Sequence, residues 1–449
     1  MKRAGSRKSV NAANLAALGG ERLAGLLMEA AEADPALKRR LRMELAGEAG
    51  ADHLAAEIAK RLTAIEGRRS KIHWRKYKAF VRDLETQRAM IAGPLAEQDA
   101  KLALEAMWRF LRLADGIFRR TEDGRGEIEA VFRLAVADAG AILGRAKADP
   151  AGVAEQVVSL IEDDDAEVLD DLAGAVIPAL DSEGVAALRA RLTAAGAGRS
   201  RPPPSIRRAI QLTADAQGDV EGFIATIPAA EARLAPAGAE IARRLLGAGR
   251  TEDALAALAR SAPLSTGRTL LPGTQAWEDV YLEALEADGQ MELAQEVRWA
   301  SFEKRLAAER LRAFLKRLPD FDDVEALDRA LAYAQAFGSF TEALRFFTAW
   351  PAAAEAAQLV LARHGEIEPG QTEVLEAAAV LLAGRHPLAA SLVLRAVAAD
   401  ILRWVRAHAY KDAERQLAEL ASLAVQIEDW RGFEPHEDFV ARMARIRRL

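Results

Sequence analysis

Apolar positions recur at helical spacing along nearly the whole chain. After Pro387 the series Leu388, Leu392, Leu394, Val397 and Ile401 forms one helical stripe, and no run alternates apolar and polar residues as a half-buried strand does. The windows are rich in Ala, Leu, Glu and Arg, which have strong intrinsic helix propensity. Asp34-Pro35, Asp149-Pro150, Trp350-Pro351 and His386-Pro387 each precede such a window. Proline at the first helical position loses only an N–H without an intrahelical partner, and Asp34 and Asp149 suit the cap before it. The pattern predicts an all-α protein of about two dozen helices joined by short turns.

Two features organise these helices. Residues 196–205 combine glycines with three consecutive prolines, and they predict a linker between an N-terminal helical bundle, 1–195, and a longer C-terminal domain, 206–449. A long surface loop inside one continuous superhelix is the alternative. In the C-terminal part Gly249, Gly289, Gly338 and Gly384 are each followed five residues later by alanine: Ala254, Ala294, Ala343 and Ala389. A glycine in the left-handed conformation ends one helix, and a small residue in the next first turn lets two helices approach closely. The spacings of 40, 49 and 46 residues are irregular, so this reads as a degenerate α-solenoid of helical hairpins, tetratricopeptide- or HEAT-like.

Composition narrows the chemistry. Hydrophobic residues make up 51% of the 449 positions but aromatics only 6%, so Ala and Leu must build the core. With no cysteine, disulfides, thiolate metal sites and cysteine nucleophiles are excluded. The balance of 61 basic against 67 acidic residues offers no global attraction for a polyanion. The longest apolar run, 377–383, is far shorter than the ~18–20 residues of a membrane span. No apolar stretch follows Lys2 and Arg3 as in a signal peptide, so a cytoplasmic protein without a membrane partner is expected.

Catalytic motifs are missing. The histidines at 53, 73, 364, 386, 408 and 436 show no ligand-pair spacing, with only His386 and His408 open to meeting across adjacent helices. There is no GxxxxGK[ST], no GxSxG, and the Gly124-Arg125-Gly126 turn lacks the dinucleotide fingerprint. The acidic cluster Glu162, Asp163, Asp164, Asp165, Glu167, Asp170 and Asp171 lies between helical windows and suits caps and first turns, as do Asp320, Asp322, Asp323 and Glu325 after Pro319. Neither a cofactor nor a metal is expected.

One charged segment stands out. Residues 60–88 carry ten basic side chains against Glu66, Asp83 and Glu85. On a continuous helix Arg68, Lys71, Arg75, Lys78 and Arg82 form a stripe about 80° wide and about 21 Å long. Trp74, Tyr77, Phe80, Val81 and Leu84 fall on another face, where Trp74 and Tyr77 are expected as core anchors. The ridge suits a nucleic-acid backbone or an acidic protein partner. The plainer reading is a solvated face, or one paired with acidic helices such as that at Glu162. Arg442, Arg445, Arg447 and Arg448 near the C-terminus complement a helix dipole.

The residues also carry a resemblance. Trp299-Ala300-Ser301-Phe302-Glu303, the run from Leu311 through Pro319-Asp320-Phe321-Asp322-Asp323, Arg385-His386-Pro387-Leu388-Ala389-Ala390-Ser391-Leu392 and Ala409-Tyr410-Lys411-Asp412-Ala413 resemble a family of uncharacterised bacterial helical proteins. The opening, from Leu15-Ala16-Ala17-Leu18-Gly19 to Asp34-Pro35 and Leu41, is similar to the start of the same family. The resemblance implies a helical fold and no activity. Family members tend to have a histidine in the stretch matching 411–417, where this chain has Asp412, Glu414 and Gln416. They often continue into a glycine-, basic- and aromatic-containing tail, whereas this chain stops at Leu449.

Together these features predict a non-enzymatic helical-repeat scaffold or adaptor that binds a protein partner. A nucleic-acid-binding protein using the basic helix 68–82 comes second, an enzyme third, and self-association stays open. Circular dichroism should show helix with strand below about a tenth, since neither apolar alternation nor β-branched runs occur. Limited proteolysis should cut first at Arg199 or Arg201; resistance there, with cuts elsewhere, favours one continuous superhelix.

Overall fold

A computed structural model describes residues 10–197, 202–263, 273–403 and 410–446. Within them the chain forms helices and no strand. The proline signals act as the sequence implies. Asp34 accepts from the N–H groups of Ala36 and Leu37 at 2.8 and 3.3 Å, and Asp149 accepts from Gly152 at 2.8 Å, with Pro35 and Pro150 at the first helical positions. Pro387 opens the helix Pro387–Arg403, whereas Pro351 stands two residues before the helix Ala353–Arg363.

The helices divide into two compact units, 1–231 and 232–449. Helix Pro204–Gln217 belongs to the first, because its Ile206 and Ala209 are buried in the same core as Leu188 and Leu192 of helix Ser182–Gly196. The division thus falls after the expected linker. Arg199 and Arg201, the expected cleavage points, lie outside the described residues.

Within the first unit one buried core runs from Met43 to Ala209. Helices Ala100–Leu111 and Glu127–Ala146 pack together at its centre, where Phe110 and Phe132 meet with ring centroids 5.2 Å apart. Gly140 marks the tightest contact: a Cβ there would lie 2.1 Å from the Ala175 carbonyl oxygen. Helix Ala51–Glu66 is tied to helix Trp74–Met90 by Arg61, whose Nε donates to buried Asp83 at 2.9 Å. Arg88 ties the second of these helices to Asp138 of Glu127–Ala146.

In the second unit helices pack on their neighbours along the chain. Ala235–Gly247 packs on Thr251–Arg260, Thr274–Ala287 on Met291–Arg305 and Thr372–Leu382 on Pro387–Arg403, whereas Phe340–Ala349 packs mainly on the later helices Ala353–Arg363 and Thr372–Leu382 and hardly on Asp322–Gln335. The main packing partners of each helix are those one or two places along the chain. Ala254, Ala294, Ala343 and Ala389 are all buried in the first turn of a second helix, as close approach demands.

The turns between these helices differ from the expectation at two of four glycines. Gly249 and Gly289 are left-handed, with φ of 73° and 78°, and the next residues, Arg250 and Gln290, donate back to Leu245 and Leu285 at 2.8 and 2.9 Å. Gly338 and Gly384 are not left-handed. At Gly338 the connection is closed by Ser339, whose side chain accepts from Glu342 N–H at 3.3 Å. At Gly384 it is closed by His386, whose N–H reaches the Leu382 carbonyl at 2.8 Å just before Pro387.

Gly140→Ala should destabilise the first unit by about 1–3 kcal/mol, because backbone faces the new methyl group. Gly116→Ala, in the open helix position Leu113–Phe118, should leave stability unchanged or raise it by up to about 1 kcal/mol. Thermal melting of the two variants checks this, and equal melting temperatures refute the close approach.

Candidate nucleic-acid interface

The basic segment does not form one helix. Helix Ala51–Glu66 ends at Gly67, and the next begins only at Trp74, so Arg68 and Lys71 lie on the connecting loop while Arg75, Lys78 and Arg82 lie on helix Trp74–Met90. Tertiary hydrogen bonds hold the loop open. Ile72 N–H donates to the Arg120 carbonyl at 3.0 Å, and Arg120 Nη2 donates to the Ile65 carbonyl at 3.1 Å. Arg68, Arg69 and Lys71, without an interleaved acid, would also repel one another on a helix. The 21 Å ridge is therefore replaced by a bent basic surface.

The break also moves Trp74. Tyr77, Phe80 and Val81 are half-buried and Leu84 is fully buried, as the aromatic face implies, but Trp74 is 73% exposed. As the first residue of its helix it projects past the end of the core instead of into it. The His73 ring lies 5.7 Å away, and the Arg75 guanidinium sits 5.1 Å from the Trp74 ring centroid. His73 Nδ1 meanwhile caps the helix by accepting from Arg75 N–H at 3.3 Å.

These residues form one wall of a groove of about 1010 Å³; the segment from Phe118 to Arg125 forms the other. Six basic side chains line it, Lys71, Arg75, Lys78, Arg119, Arg120 and Arg125, against one acid, Glu122. The walls are pinned together by Tyr77, whose hydroxyl donates to Asp123. Burial and this acceptor push the Tyr77 phenol far above its ordinary range. The same Asp123 carboxylate accepts from the N–H groups of Ile128 and Glu129 at 3.0 and 2.9 Å, capping helix Glu127–Ala146. Arg120 packs over Phe80 at 5.7 Å, and burial together with the charge of Arg68 lowers its pKa.

The cations of the bent surface have no internal acid. Arg68, Arg69, Lys71, Arg75, Lys76, Lys78 and Arg82 form no ion pair among the described residues, whereas Arg61 and Arg88 at either end do. Of the acidic cluster, Asp165 pairs with groove-lining Arg119 at 3.0 Å, Asp171 pairs with Arg208 at 3.3 Å, and Asp164 accepts from Leu169 N–H at 2.6 Å. Burial, then the charge of nearby Asp170, raises the Asp164 pKa. Among the described residues no group of three or more His, Asp or Glu is placed to hold a metal; His408 lies outside them.

Of the five expected contact residues, Lys71, Arg75 and Lys78 line the groove. Arg82 lies one turn beyond, its Nε donating to the Lys78 carbonyl at 3.3 Å, and Arg68 stands beside Arg120. His73, surface-exposed Trp74, Arg119, Arg120 and Arg125 were not foreseen. The Arg119-Arg120 pair before a Gly-containing turn was the available signal.

Residues 5–209 and 198–447 match the model of a family of unknown function, DUF6880. The chain belongs to this family. No curated protein matches the DUF6880 chain at a significant level. Among its described residues no helix is long and apolar enough to cross a membrane.

Proposed function

We propose that this DUF6880 chain is a non-enzymatic helical-repeat binding protein whose 71–125 groove takes single-stranded nucleic acid. The observation that carries the reading is Trp74, exposed beside Lys71, Arg75 and Lys78, which form no ion pair among the described residues. A positively charged groove tracks phosphates, and an exposed indole gives a base a stacking face without demanding a sequence. An ordinary solvated face explains the charge but leaves a large aromatic exposed beside it. In the second unit the packing of each helix on its chain neighbours supports an α-solenoid, whose extended surface suits a protein partner.

The test is anisotropy of a labelled single-stranded oligonucleotide at two salt concentrations. Binding should weaken steeply with salt, and reversing Lys71, Arg75 and Lys78 to glutamate should flatten the slope by about 0.7 for each phosphate that is no longer neutralised. Trp74→Ala should leave the slope intact and cost about 1–3 kcal/mol, one stacked base. If the oligonucleotide does not bind, while polyglutamate binds independently of Trp74, the groove serves an acidic polypeptide instead.

A further inference from the structure

A second concentration of unsatisfied polarity lies in the second unit, apart from the groove. Arg395, on helix Pro387–Arg403, is only 7% exposed. Its Nη1 donates to the Glu434 carbonyl at 2.5 Å, but Nε and Nη2 are buried without a hydrogen-bond partner. Those two nitrogens form the side-on edge of the guanidinium, the edge that holds a carboxylate or phosphate through two parallel bonds. The Trp430 and Phe439 rings pack against the group, with centroids 4.7 and 5.0 Å from its central carbon.

No acid among the described residues takes the free edge. The Glu434 carboxylate is held by Arg442 Nε and Nη2 at 3.0 and 2.9 Å. Two more orphaned groups accompany it. Ser391 precedes Arg395 by one helical turn, on the same face, and its Oγ is fully buried with no partner. His436, at the start of helix His436–Ile446, has a buried Nδ1 with no partner and lies close enough for Arg395 to influence its titration. Burial, then the charge of Arg395, lowers the His436 pKa, so it stays neutral at pH 7. Burial also lowers the Arg395 pKa, with Glu434 opposing and Arg442 adding to the effect. A buried guanidinium lacking a carboxylate partner, beside an unpartnered hydroxyl and imidazole, is a set of groups that one oxyanion satisfies.

We infer that Arg395, Ser391 and His436 form a binding site for an oxyanion, a carboxylate or phosphate group. Arg395 grips two oxygens side-on through Nε and Nη2. The Ser391 hydroxyl donates to the same group, and His436 donates through Nδ1 in that tautomer.

Calorimetric titration of the full chain with inorganic phosphate and with acetate, at constant ionic strength set by chloride, tests this. One saturable site per chain is expected; the tighter probe tells a phosphate group from a carboxylate. Arg395→Lys keeps the charge but removes the fork, and should weaken binding by at least about tenfold. Ser391→Ala removes a hydroxyl that has no partner to lose. Without anion it should melt at or above the parent temperature, while losing part of the stabilisation that phosphate or acetate gives the parent. Should Arg395→Lys not fold, Ser391→Ala carries the test alone. Absence of saturable binding of either anion to the parent, or Ser391→Ala protein stabilised as fully as the parent, overturns the site.

Discussion

The structure depends on how closely helix backbones approach one another. With aromatics at only 6% of the chain, alanine and leucine, joined by valine and isoleucine, supply most of the core, and small side chains make dense contacts only when backbones come near. Gly140 against Ala175 is the extreme case, and the buried first-turn alanines of the second unit repeat it more gently. Close helices require short connections, which explains the left-handed glycines at 249 and 289, the serine cap at 339 and the proline start at 387. Capping and packing are two results of one requirement.

Charge is distributed on a different logic. Many arginines are consumed in joining helices. Arg305 and Arg310 meet Glu278, Arg298 and Arg317 meet Glu286, and Arg61 meets Asp83. Against that background the cations from Arg68 to Arg82 form a run without an ion pair among the described residues, and Arg395 keeps an open edge. A chain with a net charge of −6 has acids to spare, yet Asp165 pairs with Arg119 and Glu434 with Arg442.

Helix class, caps and the small-residue hairpin contacts were legible in the sequence because they depend on local chemistry: Asp before Pro, Ala five residues after Gly. The continuous basic helix was not legible, because what interrupts it at 67–73 is a pair of long-range bonds from Ile72 and Arg120. Trp74 followed that error, since a helical projection assigns a face but cannot know where the helix starts. Gly338 and Gly384 show the same limit: a glycine permits the left-handed conformation, and the neighbouring Ser339 and Pro387 decide whether the chain needs it. The Arg395 cluster gives no sequence signal, as its groups come from two helices separated by a helix and a loop.

Asp123 joins two roles that usually fall to separate residues. It anchors Tyr77 across the groove and caps the long helix Glu127–Ala146. Spreading the groove walls breaks the Tyr77–Asp123 bond, while the other carboxylate oxygen of Asp123 goes on capping a helix whose Phe132 and Ala139 sit in the central core. Because the cap fixes the acceptor, the Tyr77 wall is anchored to a carboxylate that the helix itself positions. For the ligand proposed above, an anchor formed in advance places the entropy of ordering on the ligand and not on the protein.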